Sequence, residues 1–486
     1  MKQFAEDDIE EKTQTASLRL PDNGSLDTPP IAVDKNGVSQ VVGVLNRRTE
    51  NWWLLAAFWA MFLCGWNDAS IGPLLLRIQS YYEVSYTVVS LLFITAFCGF
   101  FTAAVINVPV VDRFGIGWAF AIGSTSPIIA YIIQSTAPPF PLFLISYVFS
   151  GIGVGLLDAV SNTLIARLPD AEKQMSLLHA AYGAGALVAP LVATQFSEMK
   201  RWNFHYLTSL GMAAICLFLV TVTFRFKTIE KLFSDAGYIE VVLDEKAASV
   251  TSTTEPILVD EDHHDRRHIQ PNEEGIVAVV NEGSKPAGSV KKMGKIIRDP
   301  VVLLTAAFAF LYVGTEITIG GWIVTFLRTV RGAGPSAGYV STGFFAGLTL
   351  GRVVHVWIAR LAPERYLLFG YGVMAIALQI VVWTVKHVVG DAIAISFVGF
   401  VLGPFYPIIM NVLVAILPVE ITGGAIGFVA AVGQIGSALF PYAVGPLSEH
   451  YGVWSLQPLL VAMMGSLLLF WVIVLWVCRN RWKVKP

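Results

Sequence analysis

The stretch NWWLLAAFWAMFLCGWNDASIGPLLL, residues 51–76, is long enough and apolar enough to cross a bilayer as a helix. It nevertheless carries Asn67 and Asp68 in its second half. A carboxylate inside a membrane is costly, and it usually faces a cavity or an ion pathway. The run therefore predicts a membrane-spanning helix that contains a functional polar group.

The same apolar pattern continues through the chain. Its 486 residues are 55% hydrophobic and 14% charged, whereas soluble domains carry about 25% charged residues. We predict an all-α membrane protein with twelve transmembrane helices. The predicted spans are 52–76, 87–111, 116–135, 141–165, 174–197, 206–226, 300–327, 337–360, 366–386, 392–416, 422–446 and 455–478.

Polar segments divide these spans into two groups of six. Residues 51–226 and 299–478 are predicted to form an N-terminal and a C-terminal six-helix half. Residues 227–298 contain few large apolar side chains and predict a linker loop. Residues 1–50 are predicted to be a disordered tail, and residues 479–486 a short second tail.

Charge sets the orientation and excludes several classes of function. With the amino terminus inside, 18 Lys and Arg residues flank the spans on the cytoplasmic side and six on the other, so both termini and the linker are expected to be cytoplasmic. The net charge of -2 gives no reason to expect a nucleic-acid partner. The four cysteines form no CxxC pair, and no HExxH or P-loop occurs. No metal, cofactor or enzymatic activity is therefore expected.

An internal repeat relates the two halves. The segment Asp68-Ala-Ser-Ile-Gly72 recurs 248 residues later as Glu316-Ile-Thr-Ile-Gly320. Three further pairs follow in the same order at offsets of 248, 249 and 251 residues: Gly99 with Gly347, Asn162 with Asn411, and Pro190 with Pro441. Six spans per half give both halves the same orientation, so the repeat is parallel and pseudo-symmetric. A solute site is expected between the halves, near the middle of the membrane.

The plan of six plus six spans with a long central loop resembles the major facilitator superfamily. The loop after the second span supports this, because Asp112, Arg113 and Gly115 match the D-R-x-G part of the superfamily's signature. The resemblance implies a gating loop at these three residues. Val108 replaces the leading glycine of the signature, and its two trailing basic residues are absent, which implies a weaker latch.

Two stretches resemble the fucose-permease-like branch, in particular fungal members of the bypass-of-stop-codon type. They are GWNDASIGPLLLRIQSYYEVS in the first span and YVGTEITIGGWIVTFL in the seventh. The resemblance implies a monomeric transporter that works by alternating access. For a fungal member, the plasma membrane is the expected location.

Asp68 and Glu316 occupy equivalent places in the repeat, so the repeat axis is expected to present both carboxylates to one cavity. We predict that they bind a proton coupled to solute movement. The alternative is a carboxyl group hydrogen-bonded to a neighbouring helix backbone. Asp158 and Asn162 lie four residues apart on one face of the fourth span. The branch resemblance implies a proton and sugar site for this pair, and a hydrogen bond to the signature loop is the alternative.

Other polar side chains in the spans are candidates for binding the solute. His179 and Tyr182 lie one turn apart, although a histidine in a span can also be a packing residue. Trp322 can stack on a sugar, but tryptophan is also common at membrane interfaces. Arg352 is expected to pair with a carboxylate or with helix-end carbonyls rather than face lipid. The complete predicted solute-binding set is Asn67, Asn162, His179, Tyr182, Trp322, Tyr406, Asn411 and Gln434.

These side chains suit a small polar, polyhydroxylated solute. A cluster of Lys or Arg is missing from the set, which disfavours phosphate esters and dicarboxylates. Without a P-loop, an ion gradient or the solute's own gradient must supply the energy. We predict a secondary active transporter whose partners are the solute, protons and the lipid bilayer. Two alternatives are an exporter of a fungal metabolite or drug-like compound and a non-transporting membrane sensor.

Overall fold

The computed structural model describes residues 47–168, 170–236 and 293–479. Most of the predicted N-terminal tail and linker lies outside these residues, as does the C-terminal tail beyond 479. The described parts contain twelve long helices, as predicted. They are α1 (Arg47–Tyr82), α2 (Tyr86–Phe114), α3 (Ile116–Ser135), α4 (Phe140–Ile165), α5 (Ala171–Ser197), α6 (His205–Phe224), α7 (Pro300–Thr329), α8 (Tyr339–Ile358), α9 (Glu364–Thr384), α10 (Val388–Ile416), α11 (Val419–Tyr451) and α12 (Leu456–Cys478).

Eleven of these helices are long and apolar enough to cross a membrane. The exception is α8, whose 20 residues include Arg352 and His355 and are therefore less hydrophobic. Its length and its place in the repeat still fit the predicted eighth span. Short helical segments occur at Trp202–Phe204, Ile229–Asp235, 293–298, Pro335–Gly338 and Val453–Ser455.

Local sequence explains where several helices begin and end. The Asp299 side chain caps α7 by accepting a hydrogen bond of 2.8 Å from the Val301 amide, and Pro300 occupies the first turn. Gly115 ends α2 with φ at 90°, in the backbone region that glycine tolerates best. In the same way Gly452 ends α11 with φ at 86°. Helix α10 is interrupted at Gly403 and Pro404, between Val388–Leu402 and Phe405–Ile416.

The sequence repeat is also a repeat in packing. A Cβ atom on Gly99 in α2 would lie 2.0 Å from the carbonyl oxygen of Val148 in α4. A Cβ atom on the equivalent Gly347 in α8 would also lie 2.0 Å from the carbonyl oxygen of Ser396 in α10. Each glycine thus lets two helices approach until a backbone carbonyl fills the place of a side chain, as is common in membrane bundles.

The first and fifth helices of each half are joined in a similar way. A Cβ atom on Gly185 in α5 would lie 2.0 Å from the carbonyl oxygen of Phe62 in α1. In the other half, a Cβ atom on Gly436 in α11 would lie 2.0 Å from the carbonyl oxygen of Phe310 in α7. These equivalent contacts establish two six-helix halves built to one plan.

Between the halves, α5 packs on α8 and α11 packs on α2. In the repeat, α5 is equivalent to α11 and α2 is equivalent to α8. The two contacts are therefore equivalent, as a pseudo-two-fold axis requires. Helices α1 and α7 meet where a Cβ atom on Gly72 would lie 2.1 Å from the Gly320 carbonyl oxygen. These are the glycines of the repeated segment that identified the two halves.

Polar contacts join the halves at the end where α1, α5, α7 and α11 finish, which we call the closed end. The Arg328 side chain forms an ion pair with Glu198. The Tyr86 amide donates a hydrogen bond of 2.8 Å to Glu449. The Gln195 and Tyr339 side chains are also hydrogen-bonded. At the opposite end, where α1 begins, His179 on α5 and Asn411 on α10 are exposed, and we call it the open end.

Candidate solute and proton site

Asp68 is held by neutral donors within the N-terminal half. Its two carboxylate oxygens accept hydrogen bonds from the Asn67 amide at 3.1 Å and from the Tyr182 hydroxyl at 2.9 Å. The Tyr131 hydroxyl donates to the Asn67 amide oxygen at 3.1 Å and so fixes the amide that faces Asp68. Three predicted site residues, Asn67, Asp68 and Tyr182, therefore meet in one network between α1 and α5. Both of these bonds come from side chains, and the proton-binding role of Asp68 stays a prediction.

Glu316 has a cationic neighbour in its own half. The Arg352 Nη2 and Glu316 Oε2 atoms are 3.7 Å apart, which is an ion pair longer than a hydrogen bond. The Nε atom of Arg352 donates to the Gly403 carbonyl oxygen at 3.3 Å, where α10 is interrupted. Arg352 thus pairs with a carboxylate and also with a helix-end carbonyl, the two options that its sequence context predicted.

Asp158 and Asn162 contact each other, as their spacing on α4 predicted. The Asn162 amide donates to Asp158 Oδ1 at 2.9 Å and to its backbone oxygen at 2.8 Å. Asp158 is close enough to Asp68 for the two charges to interact, and Asp68 is in turn close enough to Glu316. The three carboxylates therefore form one electrostatic group inside the helix bundle.

His179 and Tyr406, one from each half, lie near this group. His179 on α5 is exposed and lies within electrostatic range of Arg352 on α8. Since Arg352 belongs to the other half, the exposed face of His179 points into the space between the halves. Tyr406 on α10 is half-buried and interacts electrostatically with Asp158, Glu316 and Arg352.

Three other predicted residues have hydrogen-bond partners outside this group. Trp322 is fully buried, and its indole N–H donates to the Pro441 carbonyl oxygen at 2.9 Å, so it packs α7 on α11 in this conformation. Asn411 is exposed and donates to the two Glu364 carboxylate oxygens at 3.1 and 3.3 Å. The Gln434 side-chain oxygen accepts a hydrogen bond of 3.1 Å from Ser437 within α11.

The predicted gating loop packs against the chain that follows α6. Asp112 and Arg113 are exposed, and the Arg113 guanidinium lies 5.4 Å from the centre of the adjacent Phe114 ring. A Cβ atom on Gly115 would lie 2.8 Å from the Cα atom of Thr228, so a side chain does not fit there. Neither Asp112 nor Arg113 forms an ion pair within the described residues. The gating role of this loop stays a prediction.

Two tyrosines belong to the site although the sequence did not single them out. Tyr131 orients Asn67, but no spacing in the sequence relates α3 to α1. Tyr312 interacts electrostatically with both Glu316 and Arg352. It precedes Glu316 by four residues and so lies on the same helical face, which is a signal that could have identified it.

The sequence profile of the Major Facilitator Superfamily matches residues 57–441. The chain is also similar to the bypass of stop codon protein 6 of Saccharomyces cerevisiae, with 25% identity over 422 residues that cover 84% of this chain and 79% of that protein.

Solved structures share the fold at low sequence identity. A D-xylose-proton symporter superposes with a TM-score of 0.63 and 15% identity, covering 87% of this chain and 97% of its own. The peptide transporter POT, solved with sulfate, superposes with a TM-score of 0.62 and 12% identity, covering 88% of this chain and 94% of its own. A bacterial homologue of the human lysosomal transporter Spinster, solved in an inward-facing and unoccupied conformation, superposes with a TM-score of 0.61 and 14% identity. The match covers 88% of this chain and 96% of that chain.

Proposed function

This chain belongs to the Major Facilitator Superfamily, and on that premise we propose that it is a secondary transporter that carries a small polar solute together with protons. The observation that carries the proposal is the group of three carboxylates, Asp68, Asp158 and Glu316, of which only Glu316 has a cationic partner, Arg352, among the described residues. An excess of negative charge inside a membrane bundle favours proton uptake, because desolvation penalises ionised carboxylates that lack a cation.

Asp68 is the best candidate for the group that carries the proton. Its described hydrogen-bond partners, Asn67 and Tyr182, are neutral, whereas Glu316 already has Arg352 beside it. Protonating Asp68 removes an uncompensated charge from the space between the halves and lowers the barrier to their rocking movement. Asp158 and Glu316 then adjust the electrostatic potential at Asp68.

The conformation matches one state of an alternating-access cycle. Contacts between α2 and α11 and between α5 and α8 close one end, while His179 is exposed between the halves. The excess of Lys and Arg on the side of the amino terminus supports a cytoplasmic location for the open end. We propose that this conformation is the inward-facing state and that the carrier works in the plasma membrane.

A thermal-shift screen in detergent tests for a solute, with sugars, polyols, amino acids and fungal metabolites at about pH 5 and about pH 7.5. A ligand that binds the folded state raises the melting temperature by mass action. Stabilisation by a small polar solute that depends on pH supports the proposal. Stabilisation only by larger apolar metabolites points to an exporter instead.

Proton coupling is then tested in proteoliposomes with a pH-sensitive dye. We expect Asp68→Asn to abolish solute-driven proton movement while solute exchange continues, since the amide cannot carry a proton. Glu83→Gln, in the exposed turn between α1 and α2, is the matched control and should couple normally. Normal proton movement in Asp68→Asn would rule out its role.

A further inference from the structure

Tyr131 on α3 is buried inside the N-terminal half and makes a single hydrogen bond within the described residues. It is 2% exposed, and its hydroxyl donates to the Asn67 amide oxygen at 3.1 Å. A buried hydroxyl that loses its only acceptor costs free energy, because no water is at hand to replace the lost bond. Tyr131 therefore holds the amide oxygen of Asn67 on its own side.

This bond also decides which part of the amide faces Asp68. An amide group has one acceptor oxygen and one donor nitrogen. With the oxygen on Tyr131, the Asn67 nitrogen donates to Asp68 Oδ1 at 3.1 Å, and the Tyr182 hydroxyl donates to Oδ2 at 2.9 Å. An ionised carboxylate can only accept hydrogen bonds, so both contacts stabilise the ionised form of Asp68.

The opposite orientation of the amide would suit a protonated Asp68. The carboxyl O–H is then a donor, and a turned Asn67 could accept it with the amide oxygen. Turning the amide, however, removes the acceptor of the Tyr131 hydroxyl, which has no other acceptor within the described chain. Tyr131 thus favours the ionised carboxylate and leaves the proton to Oδ2, where the Tyr182 hydroxyl oxygen can accept a hydrogen bond from it.

The charged neighbours of Asp68 act in the opposite sense. The titratable and charged groups around it come from six helices. They are Cys64, Tyr131, Asp158, Tyr182, Glu316 and, in range of the Tyr182 hydroxyl, Arg352. Two carboxylates in this set, Asp158 and Glu316, repel a negative charge on Asp68. The Asn67 amide offsets this repulsion, and Tyr131 is the one member of the set that bonds to that amide within the described residues.

We infer that Tyr131 is a positioning residue, which holds the Asn67 amide toward Asp68 and so sets the pH at which the carrier takes up and releases its proton. The inference rests on the proposed proton-coupled transport and adds how its proton site is tuned. It also assigns Asn67 to the proton rather than to the solute. Without the Tyr131 hydroxyl the amide can turn, so the ionised form loses a donor and the protonated form gains an acceptor. Both changes strengthen proton binding and move the titration of Asp68 to higher pH.

Infrared titration of the purified full-length protein in lipid measures this midpoint without a solute. The C=O stretch of a protonated carboxyl group that disappears in Asp68→Asn belongs to Asp68. We expect Tyr131→Phe to raise the midpoint of this band by about one pH unit, a tenfold change in proton affinity. The pH dependence of solute-driven proton movement should shift in the same direction.

Tyr147→Phe is the matched control. Tyr147 is also a buried tyrosine of the N-terminal half, 4% exposed, but its hydroxyl is hydrogen-bonded to that of Tyr206 at 3.1 Å. This variant also loses one buried hydrogen bond, and it should leave the midpoint unchanged. The background Asn67→Leu then tests the path. Because Tyr131 acts through the amide, adding Tyr131→Phe to Asn67→Leu should cause no further shift.

Three outcomes refute the inference and leave the transport proposal in place. They are an unchanged midpoint in Tyr131→Phe, an equal shift with and without the Asn67 amide, and an equal shift in Tyr147→Phe, which would indicate a general effect of packing. If no Asp68 band titrates between about pH 4 and about pH 9, the proposed proton role of Asp68 fails together with the inference.

Discussion

At the scale of single residues, burial and hydrogen bonding separate site residues from packing residues. Trp322 and Asp68 both lie in spans, where Trp322 was predicted to bind the solute and Asp68 the coupled proton. The Trp322 N–H is occupied by the Pro441 carbonyl oxygen and its ring is fully buried. Asp68 is half-buried, and its hydrogen bonds among the described residues come from side chains, which can rearrange when a proton binds.

We therefore expect Trp322→Phe to lower stability without changing solute binding. The substitution removes one buried hydrogen bond and leaves part of the indole volume empty, at a cost of about 1–3 kcal/mol. Thermal unfolding in detergent measures the loss. Trp357→Phe is the control, because Trp357 lies exposed on α8. A loss of solute affinity in Trp322→Phe with unchanged stability would instead give Trp322 the cavity role that the sequence suggested.

The sequence predicted some partners within the site and missed others, for a physical reason. The contact between Asp158 and Asn162 follows from helical spacing within one span. Asn411 contacts Glu364, which is 47 residues away on another helix, so no spacing rule could reveal that pair. The bond from Tyr131 to Asn67 depends on how α3 packs on α1, which the apolar pattern does not fix.

At the scale of helices, glycines set the distances between neighbours. Gly99 and Gly347 occupy equivalent places on α2 and α8, and each faces a carbonyl oxygen 2.0 Å from where a Cβ atom would be. A backbone carbonyl in a helix has little freedom to move aside. Even an alanine at either glycine must therefore push two helices apart.

Gly99→Ala is expected to destabilise the protein by about 1–3 kcal/mol, the range for overpacked cores. The matched control is Gly211→Ala on α6, where a Cβ atom meets nothing within 4 Å. That control should be neutral or stabilising, since alanine favours helix over glycine by about 1 kcal/mol. Equal melting temperatures for the two variants would contradict the tight contact between α2 and α4.

The number and order of the helices were predictable from the sequence, but their full lengths were not. The apolar run that predicted 52–76 belongs to a helix that extends from Arg47 to Tyr82, because helices can continue past the apolar core with polar turns. Helix α8 was predicted at 337–360 despite Arg352, and the ion pair with Glu316 shows how a charged residue is accommodated there. The repeat offsets near 248 residues predicted equivalent packing in the two halves, as the glycine contacts confirm.

At the scale of the whole molecule, few polar contacts hold the closed end. The carboxylates of Glu198 and Glu449 end equivalent helices, α5 and α11, 251 residues apart in the repeat. Glu198 pairs with Arg328, and Glu449 accepts from the Tyr86 amide. Each half thus contributes one carboxylate to the polar contacts at the closed end.

Glu198→Gln should shift the population toward the state that is open at this end. Exposed ion pairs contribute about 0.2–1 kcal/mol, so the shift is expected to be up to about fivefold. Spin labels on Tyr81→Cys and Trp454→Cys, both exposed on opposite halves, report the opening distance once Cys98 is replaced.

The charge-exchanged variant Glu198→Arg, Arg328→Glu is the control. It restores the attraction and should return the distance distribution toward that of the original protein. A distribution that is the same in Glu198→Gln and in the original protein would show that packing alone, without the ion pair, keeps this end closed.

The excess of negative charge around Arg352 also makes the movement of the empty carrier depend on the membrane potential. A carrier that returns empty, with Asp68, Asp158 and Glu316 all ionised, moves two more negative than positive charges with it. Each elementary charge that crosses the full membrane potential changes in energy by about 2.3 kcal/mol per 100 mV. Current recordings on a supported membrane would detect this movement. The voltage of the cell, as well as its pH gradient, would then decide which face an empty carrier presents.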